Sequence, residues 1–391
     1  MRVTRPQKLV VFALLAVGCA GGDVDPWAPG ELLIEQIGLT GEAIGEAALV
    51  VGPDGTTVLI DVGNDAHAER VLDALERHGD GAAVDWVLLT HYHADHIGGF
   101  DKLFDSSAAN GGEPTEVRQK VLIRGLVDID DGGANCQELE AVCSWMSENP
   151  GHSVGLCLSE PPLASCSAAA AGGPWSATSC GGINGATNVI PLGDGAQLTV
   201  FAVNGWADTG DGVEPIHDLD GRHDDAGENG RSMVGVIRHG EFAMVFGGDL
   251  TGGGKGTPDV EAAVAAAAGR DDHPVPAGGV DVIQLNHHGI DSSSGDAWLD
   301  WLLPDDGSLR HAMVGASSAY ISAPDRDVVD RVLPRLGGGS IWVTRRGSAG
   351  ATGEGVEIAR GSVAIRVAPG GETYAVEVAG EDGPGWEGPT G

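Results

Sequence analysis

Residues 91–96 read His91-Tyr92-His93-Ala94-Asp95-His96, so three imidazoles and a carboxylate fall within one short stretch. They follow an apolar run, Trp86-Val87-Leu88-Leu89, which has the character of a buried strand and stops at Thr90. Imidazole nitrogen and carboxylate oxygen suit a borderline divalent metal such as zinc. A catalytic site needs such ligands with a coordination position left open. In a turn directly after a strand, His91 and His93 alternate and point the same way. Asp95 and His96 sit where the chain bends, within reach of a second metal close to the first. Gly98-Gly99 then allow a close backbone approach or a sharp start into a helix. The plain alternative is a surface loop that is merely rich in histidine, and the strand in front of this one argues against it.

Two later strands end in related chemistry. Phe242-Ala243-Met244-Val245-Phe246 runs into Gly247-Gly248-Asp249, where an unpaired carboxylate at a buried strand end would be costly. A pair of metal ions bridged by its two oxygens removes that cost; a helix-cap aspartate is the other reading. Val280-Asp281-Val282-Ile283-Gln284-Leu285 delivers Asn286-His287-His288-Gly289 to the same edge. Between the two metal motifs lies Glu228-Asn229-Gly230-Arg231-Ser232-Met233-Val234, with His217 and His223 in the acidic loop before it. His152 stands alone in a loop and reads as solvated.

The elements that must position these side chains follow an α/β rhythm. Strands are expected at 31–39, 47–52, 57–61 and 121–123, and as a hairpin at 189–192 and 197–203. Others are expected at 312–315, 341–344, 363–367 and 373–378, with helices at 65–79, from 99 onward, and at 295–303 and 325–336. Asp61, at the end of the third strand, is expected to form a turn or to orient ligands without binding metal itself. Residues 127–186 interrupt the rhythm. They hold Cys136, Cys143, Cys157, Cys166 and Cys180, five of the six cysteines, and a Ser/Ala/Gly-rich run over 164–173. The expectation is a cysteine-rich insertion at one edge of the site, lid or passive decoration, tied by two disulfides with one thiol left over.

Residues 1–18 read as a lipoprotein signal peptide. Arg2, Arg5 and Lys8 precede an apolar run too short to span a bilayer, which ends Leu15-Ala16-Val17-Gly18-Cys19 and resembles a lipobox. A lipid on Cys19 would anchor the chain in the cell envelope, and Ala20 leans the expectation to the outer membrane. Ala16 stands where leucine is more usual, so ordinary signal cleavage is the alternative. Residues 19–30 read as a tether, 31–375 as one domain and 376–391 as a disordered tail. The 57 acidic residues outnumber 22 basic ones, for a net charge of −35, and Lys8, Lys102, Lys120 and Lys255 are the only lysines. Such a surface repels polyanions, so tight nucleic-acid binding is not expected. The charge is spread along the chain, which favours solubility over an acidic-tail function.

His-x-His-x-Asp-His is also the signature of the metallo-β-lactamase superfamily, and residues 91–96 resemble it without a mismatch. Taken together, His91-x-His93-x-Asp95-His96-Ile97-Gly98-Gly99, Asn229-x-x-Ser232-Met233-Val234, the strand into Gly248-Asp249, His287-His288-Gly289 and a later strand ending in Thr344 resemble a narrower group. This is the metallo-β-lactamase domain of the competence protein ComEC and its relatives. The resemblance covers about residues 31–370 except the cysteine-rich stretch, and no multi-span membrane region accompanies it. It implies a four-layer αββα sandwich with the site at one edge of two sheets. It also implies two divalent ions, zinc favoured and manganese the alternative. Their ligands would be His91, His93, Asp95, His96, Asp249 and one of His287 and His288. The order of that pair stays open. His288 is the expected ligand, which leaves His287 to hold a substrate oxyanion or pass a proton.

Two departures from the group stand out. Asn229 occupies the segment in which many members of the superfamily place a third histidine for the first metal, so that site is three-ligand or draws on Asn229, His217 or His223. Ser322-Ala323-Pro324 stands where the relatives tend to have His-Pro. The implied chemistry is hydrolysis by a hydroxide held between two ions, since a metal lowers the pKa of water from about 15.7 to about 7. Asp95 or Asp249 would orient it and accept its proton, and His287 would stabilise the leaving oxygen. A phosphodiester is the expected substrate, with Arg231, Arg345 and Arg346 as a local anion patch. A lactone, β-lactam or carboxylic ester is the alternative. A non-catalytic binding lipoprotein on the same scaffold is the rival of another class, which the retained ligands oppose.

Overall fold

The computed structural model describes residues 24–39, 44–79, 81, 83–105, 113–124, 136–149, 152–156, 180–181, 188–209, 213–219, 225–268, 273–316 and 322–379. The expected export signal with Cys19 and Ala20, together with His223, Cys157 and Cys166, lies outside them. Among the described residues no helix is long and apolar enough to cross a membrane.

The first sheet is built mostly from the N-terminal half. Its strands are β1 (Leu32–Gln36), β2 (Ala48–Val51), β3 (Thr57–Ile60), β4 (Ala83–Leu89), β5 (Glu116–Ile123), β6 (Ser153–Leu156) and β7 (Cys180–Gly181). The second sheet takes β8 (Val189–Gly193), β9 (Ala196–Val203), β10 (Trp206–Asp208), β11 (Val213–Pro215), β12 (Val234–His239), β13 (Phe242–Phe246), β14 (Val282–Gln284), β15 (His311–Val314), β16 (Ile341–Val343) and β17 (Val356–Ile358). The chain then returns to the first sheet with β18 (Val363–Val367) and β19 (Tyr374–Val378). The strand orders are β19-β18-β1-β2-β3-β4-β5-β6-β7 and β11-β10-β9-β12-β13-β14-β15-β16-β17, with β8 beside β9.

Strict alternation along the strands makes this a four-layer αββα sandwich. In the first sheet Ile34, Val50, Val58, Leu88 and Leu122 face inward and meet Leu198, Ile237, Met244, Val282 and Met313 of the second. Their neighbours Leu33, Leu49, Leu59, Val87 and Val121 face outward, under helices. One of these is the helix Ala68–His78, whose Ala68, Val71, Leu75 and His78 recur at helical spacing and are buried. On the far side Val236, Val245, Ile283, Val314 and Ile341 pack under the helices Val260–Ala267, Asp296–Leu302 and Arg326–Val332. Two sheets buried on both faces need this alternation of apolar residues on each strand.

β3, β4 and β5 run parallel, as do β13, β14 and β15, so their C-terminal ends open at one edge of the sandwich. Ligands bind outside such strand ends in open α/β sheets. The expected strands and helices are present, with ends shifted by a few residues. Residues 65–79, for example, split into a 3₁₀ turn, Asp65–His67, and the helix.

Three expectations are corrected. The described part of 127–186 continues the α/β rhythm. The helix Cys136–Glu148 buries Leu139, Val142, Cys143 and Met146 in the outer core, and β6 pairs parallel with β5. Its apolar spacing of three, four and seven was masked by the low-complexity sequence behind it. Cys143 is a free thiol inside this core, and burial raises its pKa to about 12. Residues 24–30 are no free tether: Val24 is buried, and the Trp27 N–H donates to His78 Nδ1 at 3.1 Å. Residues 376–378 belong to β19 and not to a tail.

Candidate metal centre

β4 ends at Leu89, and Thr90 through His96 turn over the edge of the first sheet. Asp61, at the end of β3 with φ of +55°, organises this turn. Its Oδ1 accepts the Thr90 N–H and its Oδ2 the Thr90 hydroxyl, both at 2.7 Å. The same Oδ2 lies 2.7 Å from His96 Nδ1, and Thr90 Oγ1 lies 3.2 Å from His91 Nδ1. With both Nδ1 atoms occupied, His91 and His96 turn Nε2 into the site, which is the work expected of Asp61. Gly99 is glycine because a Cβ there would come 2.7 Å from the Val62 carbonyl oxygen.

Asp249 arrives from β13 across the seam. Its N–H donates to Ser232 Oγ at 3.2 Å, and the Met233 N–H donates to the Thr90 carbonyl at 3.0 Å, which ties the two sheets together beside the ligands. The two Asp249 oxygens face different groups. Oδ2 is 3.7 Å from His91 Nε2, whereas Oδ1 is 3.2 Å from His96 Nε2 and 3.5 Å from His288 Nε2. His93 presents Nδ1 to His91 Nε2 at 3.1 Å. Asp95 Oδ2 is 3.4 Å from His288 Nε2 and 3.9 Å from His96 Nε2.

These spacings fit metal. Two ligands bonded to one tetrahedral ion at zinc distances lie roughly 3.3–3.6 Å apart. One group is His91, His93 and Asp249, the other His96, Asp249 and His288 with Glu46, and Asp95 borders the second. His96 Nε2 and Asp249 Oδ1 are buried without completing a hydrogen bond, a costly arrangement unless a cation sits between them. Burial works against every charge here, yet Asp249, Asp61 and Asp95 outweigh it and raise the His96 pKa well above its usual value. The His96, His288 and His287 imidazoles in turn hold Asp249 well below the carboxylate range.

His287 and His288 both take positive φ, +51° and +55°, and this separates them. His288 is fully buried and aims Nε2 at Asp95 and Asp249, so it is the member of the pair placed as a ligand. His287 is 20% exposed; its Nδ1 is 2.6 Å from Ser292 Oγ and its Nε2 is 3.7 Å from Asp249 Oδ2. Burial lowers its pKa and keeps it neutral. Asn229 Nδ2 lies 3.3 Å from His287 Nε2, which places Asn229 beside the first group. His217 stays outside, with Nδ1 on the Asp218 carbonyl at 3.0 Å.

Two of the three arginines expected to form an anion patch are engaged with backbone carbonyls. Arg231 is buried and donates to the Leu219 carbonyl at 3.1 Å, and Arg346 donates to the carbonyls of Ser348 and Gly350. Guanidinium groups reach for unpaired carbonyls when the local fold supplies them, and these two are spent that way.

Sequence reasoning missed Glu46, Arg124, Glu228, Glu261 and Ser292. Glu228 Oε1 accepts the Tyr92 N–H at 2.8 Å, and Arg124 pairs with the same carboxylate beneath the His91–His93 turn. Glu261 accepts from Asn286 Nδ2 at 2.7 Å and from the N–H groups of Ser294 and Gly295, which braces the loop that carries both histidines. For the three glutamates the available signal was a carboxylate amid apolar or small residues; Arg124 and Ser292 carried none.

Residues 42–121 match the metallo-beta-lactamase superfamily. The metallo-beta-lactamase segment contains His91, His93, Asp95, His96, Asp61 and Glu46, and the αββα sandwich is the fold expected from the resemblance. A hydroxyacylglutathione hydrolase of Xylella fastidiosa is 39% identical over 56 residues, 14% of this chain and 19% of that protein. One from Ectopseudomonas mendocina is 34% identical over 88 residues, 22% of this chain and 32% of that protein. The chain thus spans about a fifth to a third of the length of the curated relatives it matches. Among solved structures it is similar to the metallo-beta-lactamase fold protein YhfI from Bacillus subtilis. The TM-score there is 0.39 at 13% identity, over 86% of this chain and 99% of that one.

Proposed function

We propose that this protein is a metal-dependent hydrolase with a dinuclear centre. The observation that carries the reading is the division of Asp249, whose Oδ2 faces His91 while Oδ1 faces His96 and His288. His91, His93 and Asp249 would hold one divalent ion, and His96, His288, Asp95 and Asp249 the other. When bound, such ions polarise the scissile group and activate water near neutral pH.

The chain's own residues do the rest. Asp95, at 19% exposure the more open of the two carboxylates, turns Oδ2 to His96 and His288 and would orient the attacking water. With the Ser292 hydroxyl donating to Nδ1, His287 carries its proton on Nε2, the atom that faces the site. That N–H is placed to donate a hydrogen bond to the charge developing on a leaving oxygen. Asn229 has an orphaned Oδ1, and exchange of its amide ends would let that oxygen accept from His287 Nε2 and fix the ring.

For substrate we favour a small phosphodiester, following the ComEC-type order of motifs. Arg231 and Arg346 are committed to backbone carbonyls, and the net charge of −35 opposes a long polyanion. The local likeness to hydroxyacylglutathione hydrolases favours a second reading, an acyl thioester. Hydrolysis of bis(p-nitrophenyl) phosphate and of a hydroxyacylglutathione, each with zinc and with manganese, separates the two. Turnover of neither by a chain carrying two ions would move the assignment to lactones and carboxylic esters. A chain that takes up no metal would sink the hydrolase reading. Anchoring through a lipid on Cys19 is part of the proposal, and mass spectrometry of the mature N-terminus tests it.

A further inference from the structure

Glu46 precedes β2 in a stretch with no motif of its own, Gly45-Glu46-Ala47. Its main chain is tied to the site from both sides. The Glu46 N–H donates to the Asp95 carbonyl, and the Glu46 carbonyl accepts from the Gly63 N–H, each at 2.9 Å. The side chain is buried, with Oε2 3.1 Å from His288 Nδ1. That same nitrogen is 2.7 Å from the Gly315 carbonyl oxygen. Both Glu46 oxygens are buried without a completed hydrogen bond, so the carboxyl depends on the Nδ1–H of the ring in front of it.

We propose that Glu46 is a positioning residue for His288 and is not itself a metal ligand. With a carbonyl and a carboxylate both at Nδ1, that nitrogen carries the ring proton. Nε2 is left with its lone pair toward Asp95 Oδ2 and Asp249 Oδ1, at 3.4 and 3.5 Å. A carboxylate behind a ligating histidine fixes its tautomer and raises its basicity. Glu46 is near enough to His96, Asp249 and His288 to be counted with them as a fourth ligand. Its approach from the Nδ1 side, away from the atom that faces Asp95, assigns it to the rear of the ring. Gly315 keeps that space open, since a Cβ there would lie 3.0 Å from Glu46 Cδ and 2.4 Å from Gln36 Nε2. The inference rests on the metal-centre reading and is independent of the substrate.

The test is metal affinity in the whole chain. Zinc is titrated against a chromophoric chelator for wild type, Glu46→Gln and Glu46→Asp, with circular dichroism as the control for folding. In Glu46→Gln the weaker equivalent is expected to lose about 10–100-fold in affinity while the other is unchanged. The d–d bands of the cobalt-loaded protein should keep their positions, because no ligand is lost. Wild-type affinity for both equivalents in Glu46→Gln would overturn the proposal. So would a shift of the cobalt bands that marks a lost oxygen ligand. Should Glu46→Gln fail to fold, the same readouts on Glu46→Asp decide. Wild-type protein that binds no zinc would overturn the metal-centre reading itself, a result distinct from either.

Discussion

Arg124 and Glu228 meet in a two-point ion pair, Nη2 to Oε2 at 2.7 Å and Nε to Oε1 at 3.0 Å, with neither side chain open to solvent. The guanidinium also lies 4.3 Å from the centre of the Tyr92 ring, so the pair underlies the turn between two metal-facing histidines. Removing one partner strands a buried charge. Arg124→Met or Glu228→Met should each cost about 3–5 kcal/mol in urea unfolding, and the Arg124→Met/Glu228→Met double less than the sum. Strict additivity would show that the two are not coupled.

Asp249 is the side chain common to both groups of ligands. Asp249→Ala should therefore lower metal content from about two ions per chain to near none. His93→Ala and His288→Ala should each give up one. Elemental analysis after dialysis reads the three numbers. Retention of both ions by Asp249→Ala would mean that its oxygens do not bridge the groups.

His287 stands apart from its neighbour by its exposure and its bond to Ser292. His287→Ala should keep its metal and lose about 10²–10⁴-fold in kcat on a substrate with a poor leaving group. The loss should shrink when the leaving group needs no proton. Ser292→Ala should show a milder form of the same pattern. Loss of metal in His287→Ala would instead make it a ligand.

Glu261 sets a pH dependence. Burial raises its pKa from 4.5 to about 7, against the pull of the N–H groups of Gly295 and Ser294 and the Asn286 amide. The folded chain thus holds a proton that the unfolded chain releases above 4.5. Its contribution is fully present below pH 4.5 and is lost as pH rises through 7, a decline on the order of 3 kcal/mol. Chemical denaturation at pH 5 and pH 8, compared with Glu261→Gln, isolates it. An unchanged difference between the two pH values in the variant would assign the slope to other groups.

The candidate ligands at strand ends could be proposed from the sequence because an apolar run followed by histidine or aspartate carries its meaning locally. His91, His93, Asp95, His96, Asp249 and His288 are of this kind. Glu46 and Arg124 act on partners far along the chain, which their neighbours in sequence do not point to. Glu46 meets His288 only once the two sheets have packed, and Arg124 meets Glu228 only when the end of β5 reaches a helix of the other half. The helix Cys136–Glu148 was hidden for a different reason. Its apolar stripe is short, and the repetitive sequence beyond it suggested one continuous irregular segment.

The ligands divide between the two halves of the sandwich: His91, His93, Asp95 and His96 follow β4, whereas Asp249 and His288 follow β13 and β14. Neither half offers a complete set. An ion held here would act as a rivet through the seam and report on assembly, because a chain whose sheets met out of register would not bring the two sets together. Metal uptake would then certify the finished fold. The last interaction to form in each molecule would be the one on which its chemistry depends.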